Sequence, residues 1–169
     1  MATATYLIAL GSNRPLSARL TPRRIVEVAM DALDSPPCRL VRTSPIIETA
    51  PMGPARRRFA NAAAIIETGL RPPELLRHLK SLERRFGRKG SQRWGDRSVD
   101  LDIVMWSNGT WRSPTLTIPH IHAHLRDFVL VPAASIAAGW RHPVTGATLA
   151  QHLARIKRPK PVDRKPCRN

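Results

Sequence analysis

The sequence has few cysteines, and their placement excludes two common ways of building a small protein. Cys38 and Cys167 stand far apart, without CxxC spacing or nearby histidine ligands. A disulfide framework or a cysteine-based zinc site needs more thiols at closer spacing. No apolar run approaches the roughly 18 residues of a membrane span, and the chain begins without the basic segment of a signal peptide. We therefore expect a soluble, cytoplasmic protein with no membrane partner.

Acidic and aromatic residues are also scarce. Twelve acids oppose 28 lysines and arginines, which gives a formal net charge of +16, and aromatic residues make up 5% of the chain. Such a charge attracts polyanions, whether nucleic acids, acidic lipids or a nucleotide triphosphate. The sequence contains no GxxxxGK[ST] loop, no kinase-type glycine loop, no nucleophile elbow and no HExxH motif. Any bound nucleotide must therefore be held in another way.

Part of the basic excess is concentrated at the C-terminus. Between residues 155 and 169, seven lysines and arginines oppose a single aspartate, and the same stretch contains three prolines. This composition cannot bury enough apolar surface to become ordered. We expect one domain over residues 1–156, followed by a disordered basic tail over residues 157–169.

Hydrophobic periodicity predicts alternating strands and helices in the first two-thirds of the chain. Strands are predicted at residues 3–10, 39–47, 59–68 and 99–106, helices at 22–33 and 72–86, a turn at 11–13 and a loop at 48–58. The order β-α-β-β-α-β is that of an α+β ferredoxin-like fold, an antiparallel sheet with both helices on one face. Two further helical stretches, at 128–138 and 149–156, are predicted as C-terminal additions.

The predicted strand at residues 99–106 carries a pair of acids. Asp100 and Asp102 are two positions apart, so they share one strand face at a separation of about 7 Å. We expect Val99, Leu101, Ile103 and Met105 to share the opposite face. Several basic residues precede the pair: Arg84, Arg85, Arg88, Lys89, Arg93 and Arg97. Carboxylates beside basic residues suit Mg²⁺ with phosphates, although the pair alone also fits a solvated sheet face or a nuclease-type metal site.

Four blocks of sequence resemble those of one enzyme family. They are YLIALGSN at 6–13, ETAPMG at 48–53 with Phe59 and Asn61, RWGDRSVDLDI at 93–103, and LTIPH at 116–120 with RDFVL at 126–130. In this order and spacing they resemble the 6-hydroxymethyl-7,8-dihydropterin pyrophosphokinases. The resemblance implies that Asp100 and Asp102 coordinate two Mg²⁺ ions that bridge the phosphates of ATP, and that Arg88 and Arg97 grip those phosphates during catalysis. The substrate's own hydroxyl then attacks the β-phosphorus, and AMP departs.

The same resemblance implies two sets of binding residues. The set expected to contact ATP consists of Glu83, Arg93, Trp94, Ile103, Thr117, His120 and Arg126, with Lys80 also near the nucleotide. The set expected to line the pterin pocket consists of Thr49, Pro51, Met52, Phe59, Asn61 and Phe128. Both sets predict small-molecule partners, and we expect a monomer.

Two other functions also fit part of the sequence. A ferredoxin-like sheet with strong positive charge also describes RNA-binding modules, which stack bases on two or three strand aromatics. Only Tyr6 and Phe59 lie near such positions, and this function leaves the two aspartates without a role. A metal-dependent nuclease would use the acids and the basic loop but has no need of a pterin pocket. We therefore expect no nucleic-acid partner.

Overall fold

The structure, a computed structural model, describes residues 3–50, 57–87 and 98–158. The strands are β1 (Ala4–Ser12), β2 (Cys38–Thr43), β3 (Ile47–Thr49), β4 (Phe59–Thr68), β5 (Asp100–Trp106), β6 (Trp111–Ser113) and β7 (Leu116–Ile118). The α-helices are α1 (Pro22–Leu33), α2 (Pro72–Arg85), α3 (Asp127–Ala137) and α4 (Leu149–Lys157), and a single 3₁₀ turn spans Ala123–Leu125. The predicted tail lies outside the described residues from position 159 onward. None of the helices in the described ranges has the length and apolar character needed to cross a bilayer.

The fold is a mixed α/β structure built on an antiparallel sheet. The strand order is β2-β4-β1-β5, with β3 also paired to β4, and β6 and β7 form a separate hairpin. Helices α1 and α2 cover one face of the sheet with an apolar layer that we call the α1/α2 core. Helices α3 and α4 cover the other face with a second layer, the α3/α4 core.

Both predicted N-terminal helices are confirmed, and local sequence explains where they begin. The Thr21 hydroxyl accepts a hydrogen bond from the Arg24 N–H at 3.3 Å, which caps α1 just before Pro22. In α2 the Glu74 carboxylate accepts a hydrogen bond from the Arg71 N–H at 2.8 Å. This backbone N–H has no acceptor within the helix. The apolar stripe of α2 then lies in the α1/α2 core.

The predicted turn at residues 11–13 was wrong in part, because β1 continues through Ser12. Gly11 pairs with Asn61 and Ser12 pairs with Ala60, so β4 extends the ladder beyond the apolar run. Local turn propensity is therefore overridden by a partner strand that lies about 50 residues away in sequence.

The strand predicted at residues 39–47 is divided into β2 and β3. Between them the Ser44 hydroxyl accepts a hydrogen bond from the Ala63 N–H at 2.9 Å, and Pro45 has no N–H to donate. A side chain thus replaces a backbone group in the ladder, and pairing resumes at Ile47 opposite Asn61. Glu48 and Thr49, which were predicted to lie in a loop, belong to β3.

The predicted alternation along β5 holds only for its first half. Leu7 pairs with Met105 but the next residue, Ile8, pairs with Ile103, so Val104 is an extra residue in a β-bulge. Beyond the bulge the side chains exchange faces. Met105 therefore lies in the α3/α4 core rather than beside Leu101, and Trp106 packs against the α1/α2 core.

Three histidines meet where α4 joins the rest of the α3/α4 layer. The ring centroids of His124, His142 and His152 are separated by 5.4 to 5.5 Å. His142 Nδ1 accepts backbone N–H groups from the following turn at 3.3 Å, and His152 Nε2 lies 2.8 Å from the Thr145 hydroxyl. Burial is the main cause that lowers the pKa of His142 and of His152, and the neighbouring histidines, together with Arg155 beside His152, lower it further.

This cluster predicts that the protein becomes less stable in mild acid. Because both histidine pKa values lie below the unfolded value of about 6.5, the unfolded chain binds more protons as the pH falls. The stabilisation of the folded state by the two neutral histidines is fully present above the unfolded pKa. It is lost as the pH falls through the lower pKa values of the folded protein. Urea unfolding at about pH 7.5 and about pH 5.5 should show a lower free energy of unfolding at the lower pH.

A matched pair of variants identifies the source of this pH dependence. His142→Asn keeps an acceptor for the backbone N–H groups of the turn but removes one titrating ring, so the pH dependence should become shallower. Ala150→Gln, at an exposed position of α4, adds no titrating group and should leave the dependence unchanged. If the free energy of unfolding changed equally with pH in wild type and in His142→Asn, the pH dependence would not come from this histidine cluster.

Candidate active site

Two rows of side chains cross the sheet beside the α3/α4 core. Direct pairing aligns Asn61, Gly11 and Asp100 across β4, β1 and β5, and it aligns Ala63, Ala9 and Asp102 in the adjacent row. Directly paired residues point to the same face of a sheet. Two strand spacings separate the backbones of β4 and β5 by about 10 Å. Asn61 and the two aspartates therefore face the same side within the reach of one small molecule.

Gly11 lies between Asn61 and Asp100 and has no side chain. We call this open stretch of β1 backbone the floor of the site. A Cβ atom added at Gly11 would lie 3.4 Å from Asn61 Oδ1, and the next residues in the adjacent row are the alanines Ala9 and Ala63. A glycine inside a strand often marks a place where a ligand approaches the backbone. Gly11 was predicted to lie in a turn and not in the site, and its position directly after an apolar strand is the signal that could have identified it.

Three residues of the predicted pterin set lie together at one end of this floor. The Asn61 amide nitrogen donates to Thr49 Oγ1 at 2.9 Å, and Thr49 pairs directly with Phe59. Asn61 is buried. Because its amide nitrogen is committed to Thr49, its oxygen remains on the side of Gly11 as an acceptor.

Phe128 lies at the start of α3 and packs against the α3/α4 core. The Arg126 guanidinium carbon is 5.7 Å from the centroid of the Phe128 ring, within the range of a cation–π contact. The Asp127 carboxylate accepts from the Phe128 N–H at 2.7 Å and stabilises the start of the helix. Helix α3 thus brings an aromatic ring and a cation to the face of the sheet that carries the aspartates.

His120 is attached to the strand that carries the two aspartates. Its N–H donates to the carbonyl oxygen of Val104, the bulge residue, at 3.0 Å. Its Nδ1 accepts from the His122 N–H at 3.3 Å, so in the neutral ring the proton is on Nε2. Burial lowers the pKa of His120, as do the positive charges of Arg126 and His122, while Asp100 acts in the opposite direction. The neutral ring can donate one hydrogen bond through Nε2.

Two residues of the predicted ATP set occupy positions that limit what they can contact. Ile103 is 3% exposed and lies in the α1/α2 core, so only its backbone could meet a ligand. The Glu83 side chain is 1% exposed, and its Oε1 accepts from the Leu101 N–H at 2.9 Å and from Lys80 Nζ at 2.6 Å. Sequence reasoning did not identify this link between α2 and β5, because it depends on tertiary contacts.

The remaining predicted residues fall into two groups. Thr117 lies in β7, whose neighbour Ile118 is buried against the α1/α2 core. The others lie outside the described residues, and they are Pro51, Met52, Arg88, Arg93, Trp94 and Arg97.

The aspartates suit a hard divalent cation that also binds phosphate. Within the described ranges, no three histidine, cysteine, aspartate or glutamate side chains converge on a metal position. Mg²⁺ does not require such a set, because one or two carboxylates, water and substrate phosphates complete its octahedral shell. Asp100 and Asp102, on one face at the edge strand of the sheet, therefore fit Mg²⁺ in the presence of a phosphate ligand.

Two bacterial proteins similar to this chain carry the same name. The Pseudomonas aeruginosa 2-amino-4-hydroxy-6-hydroxymethyldihydropteridine pyrophosphokinase is 40% identical over 149 residues, 87% of this chain and 88% of the relative. The Haemophilus influenzae protein of the same name is 40% identical over 136 residues, 79% of this chain and 82% of the relative.

Solved structures add a likeness of fold. The crystal structure of wild-type Plasmodium falciparum HPPK-DHPS matches 91% of this chain with a TM-score of 0.71 at 13% identity. This chain spans 41% of that longer chain. The sequence profile of one family, described as 7,8-dihydro-6-hydroxymethylpterin-pyrophosphokinase (HPPK), matches residues 7–138. With most of its length matched and relatives 40% identical, the chain belongs to the HPPK family.

Proposed function

We propose that this chain transfers pyrophosphate from ATP to the hydroxymethyl group of 6-hydroxymethyl-7,8-dihydropterin in folate biosynthesis. The products are AMP and the pterin diphosphate. The observation that supports the proposal is the row Asn61, Gly11 and Asp100, in which an amide and a carboxylate face the same side of the sheet. Membership of the HPPK family supports the same reaction.

The pterin lies in this proposal on the floor above Gly11. The Asn61 oxygen accepts a hydrogen bond from the edge of the ring, and Thr49 holds the amide in that orientation. Phe59 and Phe128 supply flat apolar surface for stacking. Pro51 and Met52 complete the proposed pocket.

Asp100 and Asp102 hold Mg²⁺ in the proposed mechanism, as two ions. Mg²⁺ held there would supply charge neutralisation on the triphosphate and favour an orientation for in-line attack by the substrate hydroxyl. The neutral His120 ring donates its Nε2–H to a phosphate oxygen. Arg126, held beside Phe128 and near His120, adds positive charge at the nucleotide site. The protein contributes position and charge, without a covalent intermediate.

The remaining nucleotide contacts are assigned by resemblance to the family. Arg88 and Arg97 are proposed to grip the phosphates during transfer, since a guanidinium donates to two oxygens at once and stays charged. The other proposed ATP contacts are Arg93, Trp94, Thr117 and the backbone of Ile103, whereas the buried Glu83 carboxylate acts indirectly.

The strand order supports a finer description of the fold. We propose a ferredoxin-like βαββαβ core made of β1, α1, β2, β4, α2 and β5, with α3 and α4 added on the opposite face. We propose one domain over residues 1–156, a basic tail from 157 onward, a cytoplasmic location and a monomer.

One of the two aromatic residues that an RNA-binding function would use for stacking is not accessible. Tyr6 is fully buried, stacks on Trp106 with ring centroids 5.9 Å apart, and donates its hydroxyl to the Leu70 carbonyl at 2.8 Å. Burial raises the pKa of Tyr6 to about 12. This ring is a core residue and cannot stack on a base.

The product of the reaction tests the proposed function directly. Purified protein incubated with ATP, Mg²⁺ and 6-hydroxymethyl-7,8-dihydropterin should release AMP and form a diphosphorylated pterin, both measured by chromatography. Attack on the β-phosphorus requires AMP as the leaving group. Release of ADP, or no turnover with this pterin, would contradict the assignment.

A further inference from the structure

Helix α2 is linked to the strand that carries the two aspartates by an ion pair whose acidic partner is buried. Glu83 on α2 is almost completely buried, and Lys80, one helical turn earlier, lies 2.6 Å from its Oε1. The Lys80 ammonium is also 4.0 Å from Asp100 Oδ1. One lysine is therefore shared unequally between a buried glutamate and one of the proposed metal ligands.

The Glu83 carboxylate also fixes the backbone between the two aspartates. Its Oε1 accepts from the N–H of Leu101, the residue that separates Asp100 from Asp102. Strand β5 lies at the edge of the sheet, with β1 as its only neighbour in the described strand order. An edge strand lacks a ladder partner on its outer side, so the glutamate supplies an acceptor where a further strand would otherwise do so.

Burying a carboxylate at this position is costly unless the charge is compensated. A neutral acceptor such as glutamine could take the Leu101 N–H at lower cost, which indicates that the charge itself has a role. Lys80 Nζ lies 2.6 Å from the charged Glu83 carboxylate and 4.0 Å from Asp100 Oδ1. Without that charge, the ammonium could move toward Asp100 and compete with a divalent cation.

We propose that Glu83 is a positioning residue that fixes Leu101 between the aspartates and restrains Lys80 from moving into direct hydrogen-bond contact with Asp100. The inference rests on the proposed function, in which Asp100 holds Mg²⁺, and adds to it a tuning of metal affinity by the α2 ion pair. Glu83 acts through Lys80 and the β5 backbone.

The test measures metal binding separately from turnover. Mn²⁺ binding is followed by electron paramagnetic resonance in the presence of α,β-methylene-ATP, which cannot transfer its β- and γ-phosphates. Glu83→Gln should raise the Mn²⁺ dissociation constant roughly two- to fivefold, the range expected for a partly exposed ion pair between Lys80 and Asp100. The Mg²⁺ concentration for half-maximal turnover should rise by the same factor, with the KM for pterin unchanged.

A double variant separates this mechanism from a general loss of structure. In Glu83→Gln/Lys80→Met the competing ammonium is gone, so Mn²⁺ affinity should return to within about twofold of wild type. A purely structural role for Glu83 predicts no recovery. An unchanged Mn²⁺ affinity in Glu83→Gln, or a double variant as weak as the single one, would overturn the inference.

A second single variant keeps the glutamate in place. Lys80→Arg retains the charge balance but has a longer, planar group that can reach Glu83 and Asp100 together, so it should also weaken Mn²⁺ binding. Unchanged binding in this variant would count against the competition. The outcomes also separate the two proposals. Wild-type protein that makes no AMP but shows this Mn²⁺ pattern would refute only the proposed function, whereas normal AMP formation without the pattern would refute only the inference.

Discussion

Asp102→Asn and Asp100→Asn should each lower turnover roughly a thousandfold, about 4 kcal/mol of transition-state stabilisation. Asparagine keeps the size of the side chain but removes the charge that binds Mg²⁺. The neighbouring strand β1 presents Ala9 and Gly11 opposite the two aspartates, so β1 offers no side chain that could replace the lost carboxylate. AMP formation at saturating ATP and pterin measures the loss, and Mn²⁺ binding should weaken in parallel.

The fold should survive these substitutions. Removing one charge relieves the repulsion between two carboxylates on one strand face, and the 4.0 Å ion pair of Asp100 with Lys80 is long and partly exposed, so its loss costs little. Asp31→Asn, on the exposed side of α1, provides a matched control and should retain full turnover. Urea unfolding of all three variants should give midpoints close to wild type. Turnover above a tenth of wild type in either Asp100→Asn or Asp102→Asn would remove that residue from the proposed metal site.

Gly11→Val should raise the KM for the pterin by about ten- to a hundredfold, because added methyl groups in a fitted pocket cost roughly 1–3 kcal/mol. The Cβ itself has room, at 3.4 Å from Asn61 Oδ1, but the γ-methyl groups would cover the floor between Asn61 and Asp100. Gly11→Ala should therefore have a smaller effect than Gly11→Val. Steady-state kinetics with each substrate varied in turn measures both variants.

The control for this series is Gly69→Val, at the end of β4. A Cβ at Gly69 would meet no atom within 4 Å, so this change adds the same side chain without filling a pocket. Valine is favoured in strands, and Gly11 has no positive φ angle, so stability should not fall in Gly11→Val. A pterin KM that is equal in Gly11→Val and wild type would show that the ring binds elsewhere.

Sequence reasoning predicted the elements whose signals are local. The helix that starts at Pro22 shows its cap and apolar period in consecutive residues, and so does the helix that starts at Pro72. The hairpin of β6 and β7 was not predicted, since strands of three residues carry almost no periodicity. The bulge at Val104 was not predicted either, because an extra residue in one strand is defined only by its partner.

The same distinction applies to the candidate site. Resemblance to a family named Asn61, Asp100 and Asp102, and strand spacing predicted that the two aspartates share one face, but neither predicted how strand pairing relates them to Asn61. The relation comes from the pairing of β1 with β4 on one side and β5 on the other, which places Gly11 between residues about 40 positions apart. The roles of Lys80 and Glu83 depend on how α2 packs against β5, which no pattern within either segment encodes.

The bulge at Val104 has a consequence for how sequence length can vary in this family. The chain leaves β5 after Trp106, forms the β6/β7 hairpin, and returns so that His120 is anchored to the carbonyl oxygen of Val104 at 3.0 Å. The Val104 peptide group, two residues beyond Asp102, thus sets the spacing between the His120 ring and the carboxylates of Asp100 and Asp102. The hairpin tip between β6 and β7 can therefore gain or lose residues during evolution while the distances from His120 to Asp100 and Asp102 stay constant.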